Sequence, residues 1–462
     1  MELSIEQQIA FDKYVQGENI FITGPGGTGK SALIKRIKSN AVKRELNVQV
    51  CALTGCAAVL IGCKAKTIHS WSGIGLGNGS IGLNVKKVTL NKRKKHGWNK
   101  VDVLIIDEVS MMSQKIFEML DAVGKNARQN SRPFGGIQII FLGDFYQLPP
   151  VGNKDEIETM RYCFESPLWG EIFKRDNIIQ LKKIFRQTDE VYTKILNQIR
   201  EGRLKKSSNE LLLSLVGRKV EEGSLIQPTK LFPLRFRTEQ VNDSKMRELD
   251  GDEREFKIRF LKTLSLPGSD KSNDTKTQNQ NQNPKSDNPN MFKRFTPEQI
   301  DAEVNNIHNS VICNDVVKLK IGAQVMCVIN IENPNGGMLC NGSQGVVIKF
   351  TEDTGLPIVK YKNGQEMTMS YHVWESDNIP GIGVSQIPLI LAWAITIHKS
   401  QGATMDIAEI DVGSGIFECG QTYVALSRVK SLEGLYLNSF DASKILINKK
   451  VRDFYDKLEQ SC

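Results

Sequence analysis

Eight consecutive residues have the types and spacing needed to hold a triphosphate. Gly24-Pro25-Gly26-Gly27-Thr28-Gly29-Lys30-Ser31 fits G-x-x-x-x-G-K-[ST] at every fixed position. Glycines let the backbone curl around phosphates with its N–H groups pointing inward. Lys30 would reach the β- and γ-phosphates, and Ser31 would supply a hydroxyl to Mg²⁺. Two acids further on, Asp107 and Glu108, suit the other half of such a reaction. The first would hold Mg²⁺ through water, and the second would polarise the water that attacks the γ-phosphate. Gln147, within Gly143-Asp144-Phe145-Tyr146-Gln147-Leu148-Pro149-Pro150, could touch the γ-phosphate and report its hydrolysis. Taken singly, the loop could be a Gly-rich turn and the acids could be helix caps.

The flanking residues supply the elements that must position these groups. Ile20-Phe21-Ile22 reads as a buried strand entering the loop, and Ala32 to Ile37 as a helix leaving it. Val48 to Leu53, Val101 to Ile106 and Ile139 to Leu142 are further apolar runs that end in polar residues, as strands of a parallel sheet do. The fold class expected is therefore α/β, built on RecA-like parallel sheets with a P-loop. Ser4 suits the N-cap of a first helix with Gln7 at its N3 position, although the Gln7 amide could instead read an adenine edge. Thr67-Ile68-His69-Ser70-Trp71 sets a polar pair among apolar residues, and a lone His there would ordinarily be structural.

With 462 residues the chain has room for about three domains. No apolar run approaches the roughly 20 residues that cross a bilayer, and Met1-Glu2-Leu3-Ser4 lacks the start of a signal peptide. The expectation is a soluble intracellular protein without a membrane partner, its compartment (nucleus, cytoplasm or a viral replication site) left open. Nine cysteines without a C-x-x-C pair indicate neither a zinc module nor a disulfide framework. A net charge of +9 points weakly to a polyanionic partner, so its distribution matters more. Between Asn84 and Lys100 there are seven Lys or Arg and no carboxylate, which fits a basic hairpin or loop, a localisation signal or a solvated charge run. From 267 to 290 no apolar side chain other than proline occurs, so this stretch reads as disordered.

Several motifs taken in order make the likeness specific. They are the phosphate loop, Thr67-Ile68-His69-Ser70, Asp107-Glu108-Val109-Ser110-Met111, Phe185-Arg186-Gln187, Ala394-Ile395-Thr396-Ile397-His398-Lys399-Ser400-Gln401-Gly402 and Tyr423-Val424-Ala425-Leu426-Ser427-Arg428. Through these the chain resembles the Pif (petite integration frequency) DNA helicases of superfamily one B, relatives of RecD. The resemblance implies a 5′-to-3′ DNA helicase using ATP and Mg²⁺, a monomeric motor acting on single-stranded and forked DNA in replication, repair or recombination. An RNA helicase or an ATP-gated nucleic-acid clamp are the alternatives.

The domains it implies are a first RecA-like unit (1–72 and 101–181), a basic wedge (73–100), and a second RecA-like unit (182–244 and 387–462). An SH3-like β insertion (245–386) completes the set. It makes Arg186 and Arg428 arginine fingers from the second unit. Gln7 and Gln401 would face the nucleotide beside Gly24, Gly26, Gly27, Thr28 and Gly29. Thr54, His69, Ser70, Thr396, His398 and Lys399 would contact the tracked strand.

Overall fold

The structure is a computed structural model and describes residues 3–187, 189–219, 227–262, 295–309, 311, 313–332, 338–339, 341–376, 379 and 381–460. The segment 267–290 lies outside the described residues.

Six parallel strands make the first sheet: β1 (Ile20–Thr23), β2 (Val48–Ala52), β3 (Lys66–Thr67), β4 (Val103–Asp107), β5 (Gln138–Gly143) and β6 (Ile178–Gln180). Their order is β3-β2-β4-β5-β1-β6. Successive side chains of a strand point to opposite faces, and both faces here are covered. Phe21, Leu104, Ile106 and Phe141 join one core cluster, while Ile20, Ile22, Val103, Ile105 and Ile140 join the other. Both-sided burial explains why these strands read as unbroken apolar runs. The register pairs Thr23 with Gly143 and Ile106 with Phe141, so neighbouring strands deliver their carboxyl ends to one edge.

A second parallel sheet of four strands has the order Ala394–Thr396, Thr229–Phe232, Ala408–Val412, Leu435–Phe440. It is packed within its own cluster, which includes Leu231, Ile395, Ile410 and Leu437. The two sheets are the two RecA-like units that the sequence led us to expect.

Within the second unit, between the strands Thr229–Phe232 and Ala394–Thr396, the chain makes a β-rich insertion whose main sheet is antiparallel. Its order is Glu366–Thr368, Pro357–Tyr361, Gln344–Phe350, Gln324–Cys327, Leu389–Leu391. The last strand belongs to the insertion, so the return to the second unit comes after Leu391 and not at 387. The helix Arg235–Glu248 likewise runs unbroken across the expected boundary at 244.

Two further expectations need correction. The basic stretch is neither a hairpin nor a loop but a pair of helices, Ile81–Leu90 and Lys92–Lys100. Ser80 caps the first by accepting from Leu83 N–H, and Asn91 caps the second by accepting from Arg93 and Lys94 N–H. Val88 and Trp98 anchor the pair in the first unit's core, Trp98 lying 4.7 Å from Trp71 and donating to Ser72 O at 3.0 Å. The C-terminal helix, Lys449–Glu459, was expected to complete the second unit. Its Val451 and Tyr455 instead enter the first unit's core, with the Phe454 ring 4.6 Å from Phe164 and 5.4 Å from Phe145.

Candidate active site and nucleic-acid interface

The phosphate loop leaves β1 and becomes the helix Lys30–Lys43, whose N-cap, Gly29, is in the left-handed region at φ 80°. A side chain at Gly29 would also strike Gln7 Nε2 at 2.7 Å, and one at Gly27 (φ +85°) would strike Arg186 Cβ at 2.5 Å. The loop is thus packed on both sides. Lys30 Nζ donates to Gly24 O at 2.7 Å and Pro25 O at 3.0 Å.

A cavity of about 450 Å³ opens over this loop. Gly26 to Ser31 form its floor, and Asp107, Glu108 and Gln147 line it from the ends of β4 and β5. Arg186, Arg428 and Lys430 also line it. Arg428 is 2% exposed, its guanidinium held by Val424 O at 2.7 Å and Ser427 Oγ at 2.7 Å. Arg186 lies on the segment between β6 and the helix Glu190–Arg200, where Phe185 N–H donates to Gly27 O at 2.8 Å. Its guanidinium then reaches across to Ser427 O at 3.3 Å.

The electrostatics of the cavity favour a polyanion. Burial, with Arg186 beside it, pushes Arg428 down to about 9. Burial likewise lowers Arg186 and Lys30, more than the nearby carboxylates can offset. Opposite them, burial and then Glu108 raise Asp107 to about 7. Asp107 Oδ1 accepts the Glu108 N–H at 2.9 Å, and Glu108 itself sits in the left-handed region at φ 56°. Such strain in a non-glycine residue concentrates at functional sites.

Gln7 and Gln401 are both near the loop but outside the cavity lining. The Gln7 amide accepts from Ser4 N–H at 3.0 Å and donates to Thr28 O at 3.1 Å, so the capping box is formed and also braces the loop. Gln401 Nε2 donates to Glu108 Oε2 at 3.2 Å from the second unit. Three further residues were not singled out from the sequence. The Tyr423 hydroxyl accepts the Gly26 N–H at 2.9 Å, Gln187 Nε2 donates to Ser427 O and Val429 O at 3.3 Å each, and Arg200 pairs with Asp144 at 2.8 Å. Tyr423 and Gln187 lay inside motifs already noticed; nothing in the sequence marked Arg200.

A family model described as PIF1-like helicase matches residues 2–210, and one described as DNA helicase Pif1, 2B domain, matches residues 304–350. The ATP-dependent DNA helicase PIF1 of Xenopus laevis is 33% identical, over 100% of this chain and 65% of its own length. The ATP-dependent DNA helicase RRM3 of Saccharomyces cerevisiae is 32% identical, over 99% of this chain and 68% of its own. The crystal structure of Pif1 helicase from Candida albicans superposes with a TM-score of 0.75 at 33% identity, covering 99% of this chain and 100% of that one. The chain belongs to the PIF1-like helicase family. It spans 65% and 64% of the lengths of the Xenopus laevis and Danio rerio relatives. Bacteroides Pif1 in complex with ADP-AlF4 is also similar, with a TM-score of 0.74, 28% identity, and coverage of 100% and 98%.

The residues that family resemblance points toward nucleic acid are spread over two units. Thr54 caps the helix Gly55–Ile61 by accepting from Ala57 N–H at 3.1 Å. His69 and Ser70 sit on the short helix Ile68–Ser72 but line different cavities. Ser70 shares one of about 560 Å³ with Lys66, Thr67 and, from the β insertion, His372 and Trp374. His69 lines the other with Met111, and burial lowers its imidazole. Thr396, His398 and Lys399 lie at the carboxyl end of Ala394–Thr396 in the second sheet, and Lys399 is exposed. Among the described residues no helix is long and apolar enough to cross a membrane.

Proposed function

We propose that this chain is an ATP-driven DNA helicase motor moving 5′ to 3′ on single-stranded DNA, with roles in replication, repair or recombination. One observation carries the reading: a single cavity is lined by the phosphate loop, two acids, Gln147 and the guanidinium groups of half-buried Arg186 and buried Arg428. Phosphoryl transfer needs this combination, because positive charge must meet the γ-phosphate when the cleft closes. All the groups come from one chain, which supports a motor acting as a monomer.

In this reading Lys30 and the loop N–H groups bind the β- and γ-phosphates, and Glu108 orients and deprotonates the attacking water. Gln147, Arg186 and Arg428 contact the γ-phosphate, and Gln7 lies close enough to the loop to meet the base. Ser31 and Asp107 would hold Mg²⁺. They fit it, because Asp107 is a buried carboxylate, raised by burial and by Glu108, and lines the same cavity as Ser31 with its hydroxyl. The ion supplies charge neutralisation at the phosphates when bound.

Thr54, His69, Ser70, Thr396, His398 and Lys399 would grip the backbone of the strand, as suits a translocase that must ignore sequence. The β insertion, SH3-like by resemblance, would close over it. The basic helical pair is the candidate wedge, presenting exposed Leu83 and Leu90 beside Lys86, Lys87 and Lys92. A Bacteroides Pif1 has been solved bound to ssDNA, and another similar structure is described as two coordinating Pif1 helicases at forked dsDNA, which supports the substrate class. The test is unwinding of duplexes with 5′ or 3′ tails, in DNA and in RNA. Activity confined to 5′-tailed DNA is expected. Unwinding of RNA, or strand capture without unwinding, would replace the reading with an RNA helicase or a clamp.

A further inference from the structure

Gln187 is 7% exposed and, unlike its neighbour Arg186, takes no part in lining the nucleotide cavity. Its amide is turned to Arg428 instead. Nε2 donates at 3.3 Å to Ser427 O and at 3.3 Å to Val429 O, the carbonyls on either side of that arginine. Carbonyls only accept, which settles the orientation of the amide: its nitrogen faces Ser427 and Val429, and its oxygen faces away. That oxygen is buried without a hydrogen-bond partner among the described residues, and it lies 3.1 Å from where a Cβ on Gly27 of the phosphate loop would stand. Phe185, two residues earlier, is tied to the same glycine through its N–H. One side chain therefore spans the distance from the phosphate loop to the backbone that carries Arg428.

The Arg428 guanidinium is held by Val424 O, Ser427 Oγ and Ala403 O, all of the second unit. Those bonds choose its rotamer but do not place it against the loop. Placement comes from the two ends of the helical turn it closes: the Tyr423 hydroxyl meets Gly26 N–H at the start, and Gln187 grips the backbone at the end. A charge that must meet the γ-phosphate in the transition state tolerates little error, since a displacement of about 1 Å can cost about a hundredfold in rate. We infer that Gln187 is a positioning residue for ATP hydrolysis: by clamping both sides of Arg428 next to Gly27, it sets where that guanidinium meets the γ-phosphate. The inference rests on the proposed function, which gives Arg428 its phosphate. It leaves Gln187 itself without contact to the nucleotide.

Gln187→Met keeps the length and apolar volume of the side chain and removes both donors. Parent, Gln187→Met, Arg428→Ala and the double variant are compared in single-turnover ATP hydrolysis with Mg²⁺ and saturating oligothymidylate, and in binding of ADP and of ADP-AlF4, a mimic of the transition state. Gln187→Met should slow hydrolysis about tenfold or more. Its ADP affinity should stay within about twofold of the parent, while its ADP-AlF4 affinity falls by a factor near that of the rate. On the Arg428→Ala background the same change should cost less than about twofold, because no guanidinium is left to aim. Gln187→Asn, whose amide is one methylene short of the two carbonyls, should show the same pattern to a lesser degree, and it carries the test if the melting temperature shows that Gln187→Met does not fold.

A loss of less than about tenfold in folded Gln187→Met would overturn the inference. Equal losses of ADP and ADP-AlF4 affinity, the mark of a site merely loosened, would overturn it too, as would an undiminished further loss on the Arg428→Ala background. Should Arg428→Ala itself hydrolyse ATP at the parent rate, the failure lies with the proposed function.

Discussion

Arg200→Met tests the tie between the two RecA-like units. Arg200 closes the second unit's helix Glu190–Arg200, and its Nε and Nη2 each donate at 2.8 Å to the two carboxylate oxygens of Asp144, just beyond β5. Asp144 has no exposed surface. Burial alone would lower the guanidinium, but Asp144 holds it above its ordinary range. The guanidinium also lies 4.5 Å from the Tyr146 ring centre and 5.1 Å from that of Tyr455.

Methionine would keep much of the volume but leave the Asp144 carboxylate buried, with the Tyr455 hydroxyl at 3.4 Å and the Tyr146 N–H at 3.3 Å as remaining partners. Breaking a buried pair from one side costs about 3–5 kcal/mol, and the lost ring contacts add on the order of 1 kcal/mol. That is a large share of a typical stability of about 5–15 kcal/mol. The Asp144→Asn/Arg200→Met double variant removes both charges and should be more stable than the sum of the single losses by about 2 kcal/mol or more. Urea unfolding of the four proteins without nucleotide, followed by tryptophan fluorescence, closes the cycle. A cost below about 1 kcal/mol for Arg200→Met, or strict additivity in the double variant, would show that apolar packing alone holds the seam.

Lys30→Ala should abolish ATP hydrolysis, since the loop loses its cation; turnover near the parent rate would contradict the assignment. Glu108→Gln should still bind ATP yet turn it over at least about tenfold more slowly, a barrier rise of roughly 1.4 kcal/mol, and a smaller drop in single-turnover hydrolysis would mean another group is the base. Asp107 gives the nucleotide-free protein a pH dependence. Its folded value of about 7 exceeds the roughly 3.9 of an unfolded chain, so the folded state holds the extra proton and stability should fall as pH rises through that window, then level off. Asp107→Asn should flatten this slope in urea midpoints taken between about pH 5 and about pH 8, and an unchanged slope would refute the attribution. Replacing Lys86, Lys87, Lys92 and Lys95 with serine should leave stability within about 0.5 kcal/mol but reduce unwinding of forks, whereas Trp98→Ala should cost about 3–5 kcal/mol of the first unit's stability. Full fork unwinding by the serine variant would remove the helical pair from the wedge role.

How much was legible varies with what each element rests against. The strands ending at Thr23, Asp107 and Gly143 could be read because burial on both faces writes a continuous apolar run, and because the chemistry at their ends has few equivalents. The helical pair was misread through its charge. Yet Ser80 and Asn91 are cap residues, and Ile81, Asn84, Val85 and Val88 recur at helical spacing, a signal that seven cations obscured. For the C-terminal helix, Val451, Phe454, Tyr455 and Leu458 spell an amphipathic stripe, but a stripe does not say which core it enters. Arg200 could not have been found, since its partner Asp144 is 56 residues away in sequence and on the other unit.

The residues across the seam argue for a coupled machine. Gly26, Glu108 and Asp144, each just beyond the carboxyl end of a first-sheet strand, meet Tyr423, Gln401 and Arg200 of the second unit. Two of these contacts, at Gly26 and Glu108, are therefore contacts to groups proposed to handle phosphate, and a change of charge in the cavity bears on the seam there. Gln401 adds the link to nucleic acid. It stands two residues beyond Lys399, on the segment whose Thr396 Oγ1 accepts the Lys399 N–H at 3.2 Å, and its amide holds the carboxylate proposed as the base. A strand phosphate that shifts this segment would shift Glu108 with it. Coupling of this kind is reciprocal: if single-stranded DNA tightens nucleotide binding by some factor, nucleotide must tighten DNA binding by the same factor. Breaking the link with Gln401→Ala should shrink both factors together, and shrinkage of one alone would mean that the message travels by another route.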